Sequence, residues 1–197
     1  MNFTLEIEDF FNQVYLIDSL AYLGLSTKVE NPFRDQLAFF LHQKYSGSIV
    51  SREYSNGNNL RVDLAILNES TKSKEFIEFK ACYAFDLING SNDLYKRQIS
   101  SDNNKYKLEE NTNVTFILLS IRTDKCPEKK YDSIVKYLYS MRPAYKKYSA
   151  DEQRVISIDN VRKWFSDDCS LKLMAFDTKN LGEAFGVQVY LDYFIIK

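Results

Sequence analysis

Two apolar strands with charges embedded in them constrain this chain more than any other feature. Residues 60–67 read Leu-Arg-Val-Asp-Leu-Ala-Ile-Leu, and after a polar loop over Asn68–Lys74 the segment Glu75–Tyr83 opens with Glu-Phe-Ile-Glu-Phe-Lys. A strand repeats every two residues, so Glu78 and Lys80 project from one face while Ile77 and Phe79 project from the other. Asp63 sits in the preceding strand. Two carboxylates and an ammonium among so many apolar residues are costly to bury unless they pair with one another or hold a cation. Such a cluster is a candidate site, because functional centres are where perturbed charges collect. An ion pair that only neutralises buried charge is the plainer alternative.

The rest of the chain surrounds these strands with helices. Residues 5–23 place Leu5, Phe10, Val14, Ile17 and Leu20 at helical spacing with Glu6, Glu8, Asp9 and Asp18 between them, which predicts an acidic N-terminal helix. Asn31-Pro32 reads as an N-cap and first helical residue, and Phe33, Leu37, Phe40 and Leu41 form the apolar stripe of a helix reaching Tyr45. Ser48–Tyr54 predicts a first strand, and Asn56-Gly57-Asn58-Asn59 the turn into Leu60–Leu67. Helical spacing returns over 93–109, and Val114–Ile121 is an unbroken apolar run suited to a central strand covered on both faces. Beyond it, Lys129–Met141 reads as a helix stopping near Pro143. Arg154–Ile158 reads as a short strand, Val161–Phe165 as a short helix and Phe185–Ile196 as a final strand. The expected fold class is α/β in the broad sense, an α+β mixed sheet carrying helices. With 197 residues, 6 Gly, 3 Pro and no low-complexity linker, a single domain is expected. It comprises a core over about 30–121, the helix 5–23 before it, and α/β additions over 125–197.

Composition narrows the function. With 26 basic and 27 acidic residues the net charge is −1, so no global field draws the chain to nucleic acid or membrane, and any basic surface is local. The first residues lack the basic and apolar regions of a secretory leader, and no apolar run approaches membrane-spanning length; a cytoplasmic setting without a membrane partner is expected. Cys82, Cys126 and Cys169 are odd in number, far apart and outside any CxxC pair, so they read as reduced thiols. His42 is the only histidine and is expected to be structural or exposed.

Acid-x-Lys occurs three times, at Glu78, Glu128 and Asp177, about as often as composition alone produces it. Only Glu78-Phe79-Lys80 lies inside an apolar strand, and only it follows another apolar strand carrying an acid. On these residues the chain resembles the PD-(D/E)XK nuclease superfamily, the restriction-endonuclease-like fold, over roughly residues 30–121. The order is helix, three-strand meander, helix, strand. Val62-Asp63 matches the Pro-Asp element, with Val62 in place of the proline, and Glu78-Phe79-Lys80 matches the (D/E)XK element.

The resemblance implies metal-dependent cleavage of phosphodiester bonds, with DNA as the first expected partner and RNA the second. By the habit of that superfamily the setting is restriction, phage defence or a mobile element, and a homodimer is left open. Asp63 and Glu78 would offer hard oxygens to Mg²⁺ or Mn²⁺, with the Phe79 carbonyl and waters completing the shell. Lys80 would orient the attacking water or stabilise charge on the phosphate.

Members often carry a further acid on the first core helix. Glu30 lies three before Phe33 and seven before Leu37, in line with the buried stripe, whereas Asp35 is about 200° away from Phe33. Glu30 is therefore the candidate, with a dipole-compensating acid at a helix start as its alternative; Glu53 is a further one. On the following helix Gln98 is the candidate supporting residue, beside Lys96 and Arg97 as phosphate contacts, and an ordinary solvated face is the alternative there. Segment 125–148 carries seven basic residues against two acidic ones, with five tyrosines interleaved. Lys129, Lys130, Lys146 and Lys147 there make a candidate nucleic-acid surface, or the solvated face of an amphipathic helix. Two other functions remain in play: a catalytically silent nuclease-like module, and an interaction or immunity protein whose acidic helix 5–23 meets a basic partner.

Overall fold

Among the described residues, six strands form one mixed sheet in the order β1-β2-β3-β4-β6-β5. The structure is a computed structural model that describes residues 3–12, 17–55, 61–89, 93–106, 109, 111–166, 168 and 170–197. The strands are β1 (Ile49–Ser55), β2 (Arg61–Asn68), β3 (Ser73–Tyr83), β4 (Thr112–Thr123), β5 (Leu173–Ala184) and β6 (Val187–Ile196). The helices are α1 (Phe3–Phe11), α2 (Ile17–Ser26), α3 (Glu30–Lys44), α4 (Ala84–Ile88), α5 (Leu94–Tyr106), α6 (Leu138–Lys147) and α7 (Ala150–Ser166). β1, β2 and β3 form an antiparallel meander, β4 runs parallel to β3, and β6 and β5 follow antiparallel.

The sheet is covered on both faces. On one face α1, α2, α3 and the Val135–Met141 stretch pack over Leu64, Ile77, Phe79, Ile117 and Leu119. On the other, α5 and α7 pack over Val62, Phe76, Phe116, Leu118 and Phe194. β4 alternates between the two clusters and is buried on both sides, which is why its centre, Phe116–Leu119, is continuously apolar. A chain of ring contacts runs from Phe10 to Phe33 (5.4 Å) and on to Phe79 (5.9 Å). Burying a phenylalanine side chain stabilises by roughly 1.5–3 kcal/mol, so this row pins β3 with Phe79 under α3 and with Glu78 and Lys80 toward α5.

Several elements differ from the sequence expectation. The acidic N-terminal helix is two helices, α1 and α2, and residues 13–16 between them lie outside the described residues, as do the Asn56–Asn59 turn and Cys169. Helix α3 begins at Glu30 with Val29 in the cap position, so Asn31 is inside the helix rather than its cap. Lys129–Met141 is not one helix. It opens with a 3₁₀ turn at Lys129–Tyr131, the Lys136 amide bonds to the Leu25 carbonyl at the end of α2, and Tyr137 adopts a left-handed φ of 60°, so that only Leu138–Met141 are α-helical, as the start of α6. Pro143 does not stop α6 but sits within it. The carbonyl it leaves without a helical partner is that of Tyr139, which is 85% exposed, so water can satisfy it.

The strand and short helix read over 154–165 are one helix, α7. A capping box starts it: the Ser149 hydroxyl accepts from the Glu152 amide (3.3 Å), and Glu152 accepts from the Ser149 amide (2.7 Å). Strand β5 escaped the sequence reading because register shifts at Leu173/Ala175 and Asn180/Gly182 break its alternation. Phe185 is not in the last strand but in the two-residue turn between β5 and β6. Both turn residues have positive φ, Phe185 at 53° and Gly186 at 72°, the geometry that matches the twist of a hairpin. Ring contacts to Tyr22 and Tyr131 hold Phe185 there.

Candidate active site

The β2–β3 ladder opens at the two embedded acids. Pairing runs from Asn68↔Ser73 to Leu64↔Ile77, and the next pair would be Asp63 opposite Glu78. Val62 and Leu64, two residues apart, pack on opposite faces of the sheet, so β2 turns over at Asp63. On its other side, Arg52 pairs with Leu64 and Tyr54 with Val62. Glu53 lies between them with a left-handed φ of 51°. A non-glycine residue there costs roughly 1–2 kcal/mol, and Glu53 is held by Arg34 (3.3 Å) and Arg61 (2.7 Å). Glu53 is therefore engaged by arginines on the far side of β2.

Opening the ladder frees backbone donors on β3, and amides two residues apart point to the same edge. Side-chain carboxylates take the place of the missing strand. Asp63 Oδ2 accepts the Phe79 amide at 2.9 Å, and Glu30 Oε2 accepts the Ala81 amide at 3.2 Å. Glu30 reaches this edge from the first residue of α3. Asp35 is elsewhere, paired with Arg34 (3.0 Å) and Arg52 (2.8 Å).

Glu78 is 6% exposed and sits within hydrogen-bonding reach of the Asp63 carboxyl, while the Tyr106 hydroxyl donates to its Oε1. Burial first, and the charge of Asp63 next, push the Glu78 carboxyl up to about 8, against the opposing pull of Tyr106 and Lys80. Glu78 is therefore largely protonated at neutral pH. Burial and Asp63 also raise Glu30, with Lys80, Lys28 and the Ala81 amide working the other way.

Lys80 stands beside them on the same face of β3. Its ammonium is 2.7 Å from Asp102 Oδ2 and 3.7 Å from Glu78 Oε2. Burial works against its charge, but Asp102, then Glu78 and Asp63, hold its pKa above the ordinary lysine value. Asp102 is itself mostly buried. Burial works to raise it, and Lys105 and Lys80 outweigh that to hold it below the usual carboxylate range.

Asp102 and Tyr106 are not among the candidates that the sequence offers on this helix. The signal was available: Ile99, Asp102 and Tyr106 are the buried residues of α5, spaced i, i+3 and i+7. Gln98, by contrast, is exposed, and the α5 residue paired with Lys80 is Asp102. Lys96 is half-buried, and Arg97 pairs with Asp93 at 2.8 Å. Lys129, Lys130, Lys146 and Lys147 are all exposed, with Lys130 paired to Glu128 at 3.1 Å. His42 is exposed on α3.

Among the described residues no helix is long and apolar enough to cross a membrane, and no group of three or more His, Cys, Asp or Glu is arranged to hold a metal. No protein-family model matches this chain, and no curated protein or solved structure matches it significantly.

Proposed function

We propose that this chain is a metal-dependent nuclease with a restriction-endonuclease-like core, hydrolysing phosphodiester bonds of nucleic acid, DNA foremost. The reading rests on the opening of the β2–β3 ladder at Asp63 and Glu78, with Lys80 on the same face and Glu30 closing the freed edge. The order α3, β1–β3, α5, β4, with β4 parallel to β3, supports it. So does the strained backbone of Glu53 opposite Asp63, since strain of this kind clusters at functional sites.

Asp63 and Glu78 would hold Mg²⁺ or Mn²⁺. The donors fit: two hard-oxygen carboxyls lie within hydrogen-bonding reach, and Glu78 carries a proton that a divalent cation can replace; Mg²⁺ is commonly bound by one or two carboxylates plus water and substrate phosphate. When bound, such an ion polarises a phosphoryl oxygen and lowers the pKa of a coordinated water. Lys80 keeps its charge through Asp102 and offsets negative charge building on the phosphoryl group. Asp102 is a positioning residue that acts through Lys80. Glu30 and Asp63 hold the β3 amides that the opened ladder frees. In this reading Lys96, Arg97 and the lysines of 129–147 assist in attracting the strand.

One observation favours a catalytically silent nucleic-acid-binding module instead: the Lys80 ammonium is already neutralised by Asp102. Cleavage of supercoiled plasmid and of single-stranded DNA with Mg²⁺, with Mn²⁺ and with chelator separates the two. Calorimetric titration of Mn²⁺ into the parent and into Glu78→Gln runs beside it. Cleavage dependent on the ion, with both cleavage and ion binding lost in Glu78→Gln, is the expected result. Nucleic-acid binding without cleavage under either ion would select the silent module.

A further inference from the structure

Beside the carboxylates, β3 and the residues just before α3 also line a cavity. Past Lys80, the β3 residues Ala81–Tyr83 line a space of about 280 Å³, and Lys28, two residues before Glu30, lines it from the start of α3. The remaining lining includes Phe85, Tyr137 and Ser140. The Ala81 amide holds Glu30, so one residue of β3 borders both the cavity and that carboxylate. Two residues of strand separate Lys80 from Cys82, roughly 7 Å, about the step of one nucleotide in an extended strand.

The lining is aromatic and built. The Tyr83 hydroxyl donates to the carbonyls of Gly24 (2.9 Å) and Thr27 (3.0 Å), so its ring is fixed between α2 and β3. Phe85 stacks on Tyr83 at 5.4 Å and 9°, and Tyr137 meets Tyr83 edge-on at 5.4 Å. Tyr137 is held in its left-handed conformation, is 43% exposed, and carries the Lys136 ammonium 5.2 Å from its ring centre. Lys28 and Lys136 are both exposed. Asp86 also borders the cavity; it accepts the Tyr83 amide at 3.0 Å and is bonded by Tyr95.

We infer that this cavity takes an unpaired base next to the scissile phosphate, so that the substrate is single-stranded or frayed nucleic acid. This rests on the nuclease reading and narrows its substrate. Aromatic walls bind the face of any base, whereas a phosphate would be repelled by Asp86. Polar groups at Asp86, Tyr95 and Ser140 suit a base edge better than a purely aliphatic ligand. The volume lies just under the range of about 300–1,000 Å³ usual for whole small-molecule ligands, which fits one base and excludes a stacked pair. Lys28 and Lys136 are placed for the phosphates on either side of it. A base still paired in a duplex could not enter. The cavity of about 540 Å³ between α7 and β5 lies at the β5 edge of the sheet, and none of these groups lines it.

The test uses the full chain in chelator, so that no strand is cut, and a short DNA oligonucleotide with a central 2-aminopurine. Binding of the single strand should quench the probe, and the same probe paired in a duplex should not respond. Tyr137→Ala should weaken single-strand binding by on the order of 10-fold and remove the quench, Tyr137→Phe should keep both, and Ser140→Trp should block the cavity. A quench that survives Tyr137→Ala and Ser140→Trp, or equal binding of the duplex with none, overturns the inference. Mn²⁺-dependent cleavage measured in parallel keeps the two readings apart. Cutting without stacking removes only the base pocket, stacking without cutting removes the nuclease reading and leaves only a base-binding site, and a result with neither stacking nor cutting removes both.

Discussion

Lys80 separates chemistry from stability. Removing one partner of a buried ion pair commonly costs about 3–5 kcal/mol, because the other charge is left unpaired. Here that penalty is largely avoided: Asp102 keeps Lys105, and Glu78 carries a proton rather than a bare charge at neutral pH. Lys80→Ala should therefore melt close to the parent, while cleavage falls by on the order of 10²-fold or more. A thermal melt beside a cleavage time course checks this, and a large loss of stability with no cleavage in the parent would make Lys80 a structural ion only. Asp63, Glu78 and Lys80 were legible in the sequence because strand periodicity puts charges in an apolar run only where something holds them. Asp102 was harder to see. Helix α5 is so polar that its three buried positions barely stand out, and the lysine partner lies 22 residues away on another element.

Elements whose buried faces are continuous or strictly periodic were legible, and elements defined by a terminal motif were not. β2, β3 and β4 fall where their apolar runs placed them. Helix α7 was split because Val155 is exposed and Ser157 is buried, which blurs its stripe, yet Ser149-x-x-Glu152 marks its start without reference to hydrophobicity. Ser149→Ala should destabilise the protein by about 1 kcal/mol. Because Ser149 and Glu152 act as one unit, adding Glu152→Ala should cost less than the sum of the two single changes; a denaturant-unfolding cycle measures this, and strict additivity would mean the box contributes nothing as a pair. β5 could not be read for a different reason: an edge strand with two register shifts pays little for polar residues, and its turn uses Phe185-Gly186, where ring packing replaces the usual asparagine.

At the scale of the whole molecule, the opened ladder couples stability to protons and to metal. The folded chain binds the Glu78 proton more tightly than the unfolded chain does, because its carboxyl rises from the ordinary 4.5 to about 8. That contribution is fully present below pH 4.5 and is lost as pH rises through 8. Glu30 and Asp86 are raised as well and add slopes of the same sign; Glu78, the most strongly shifted of these carboxyls, extends the loss to the alkaline end. Without metal the melting temperature should therefore fall between about pH 5 and pH 9. A divalent ion at Asp63 and Glu78 must displace the same proton, so its affinity should climb over the same window. At 100-fold excess over its dissociation constant it would restore about 2.7 kcal/mol, and the two melting curves, with and without Mg²⁺, should diverge as pH rises. Glu78→Gln keeps the shape of the side chain but has no proton to lose, so it should flatten the alkaline part of the metal-free curve and abolish the divergence. Melts across pH with Mg²⁺ and with chelator, for the parent and for Glu78→Gln, decide the matter: a slope and a metal response that both persist in the variant would move proton and ion away from Glu78, and the proposed chemistry with them.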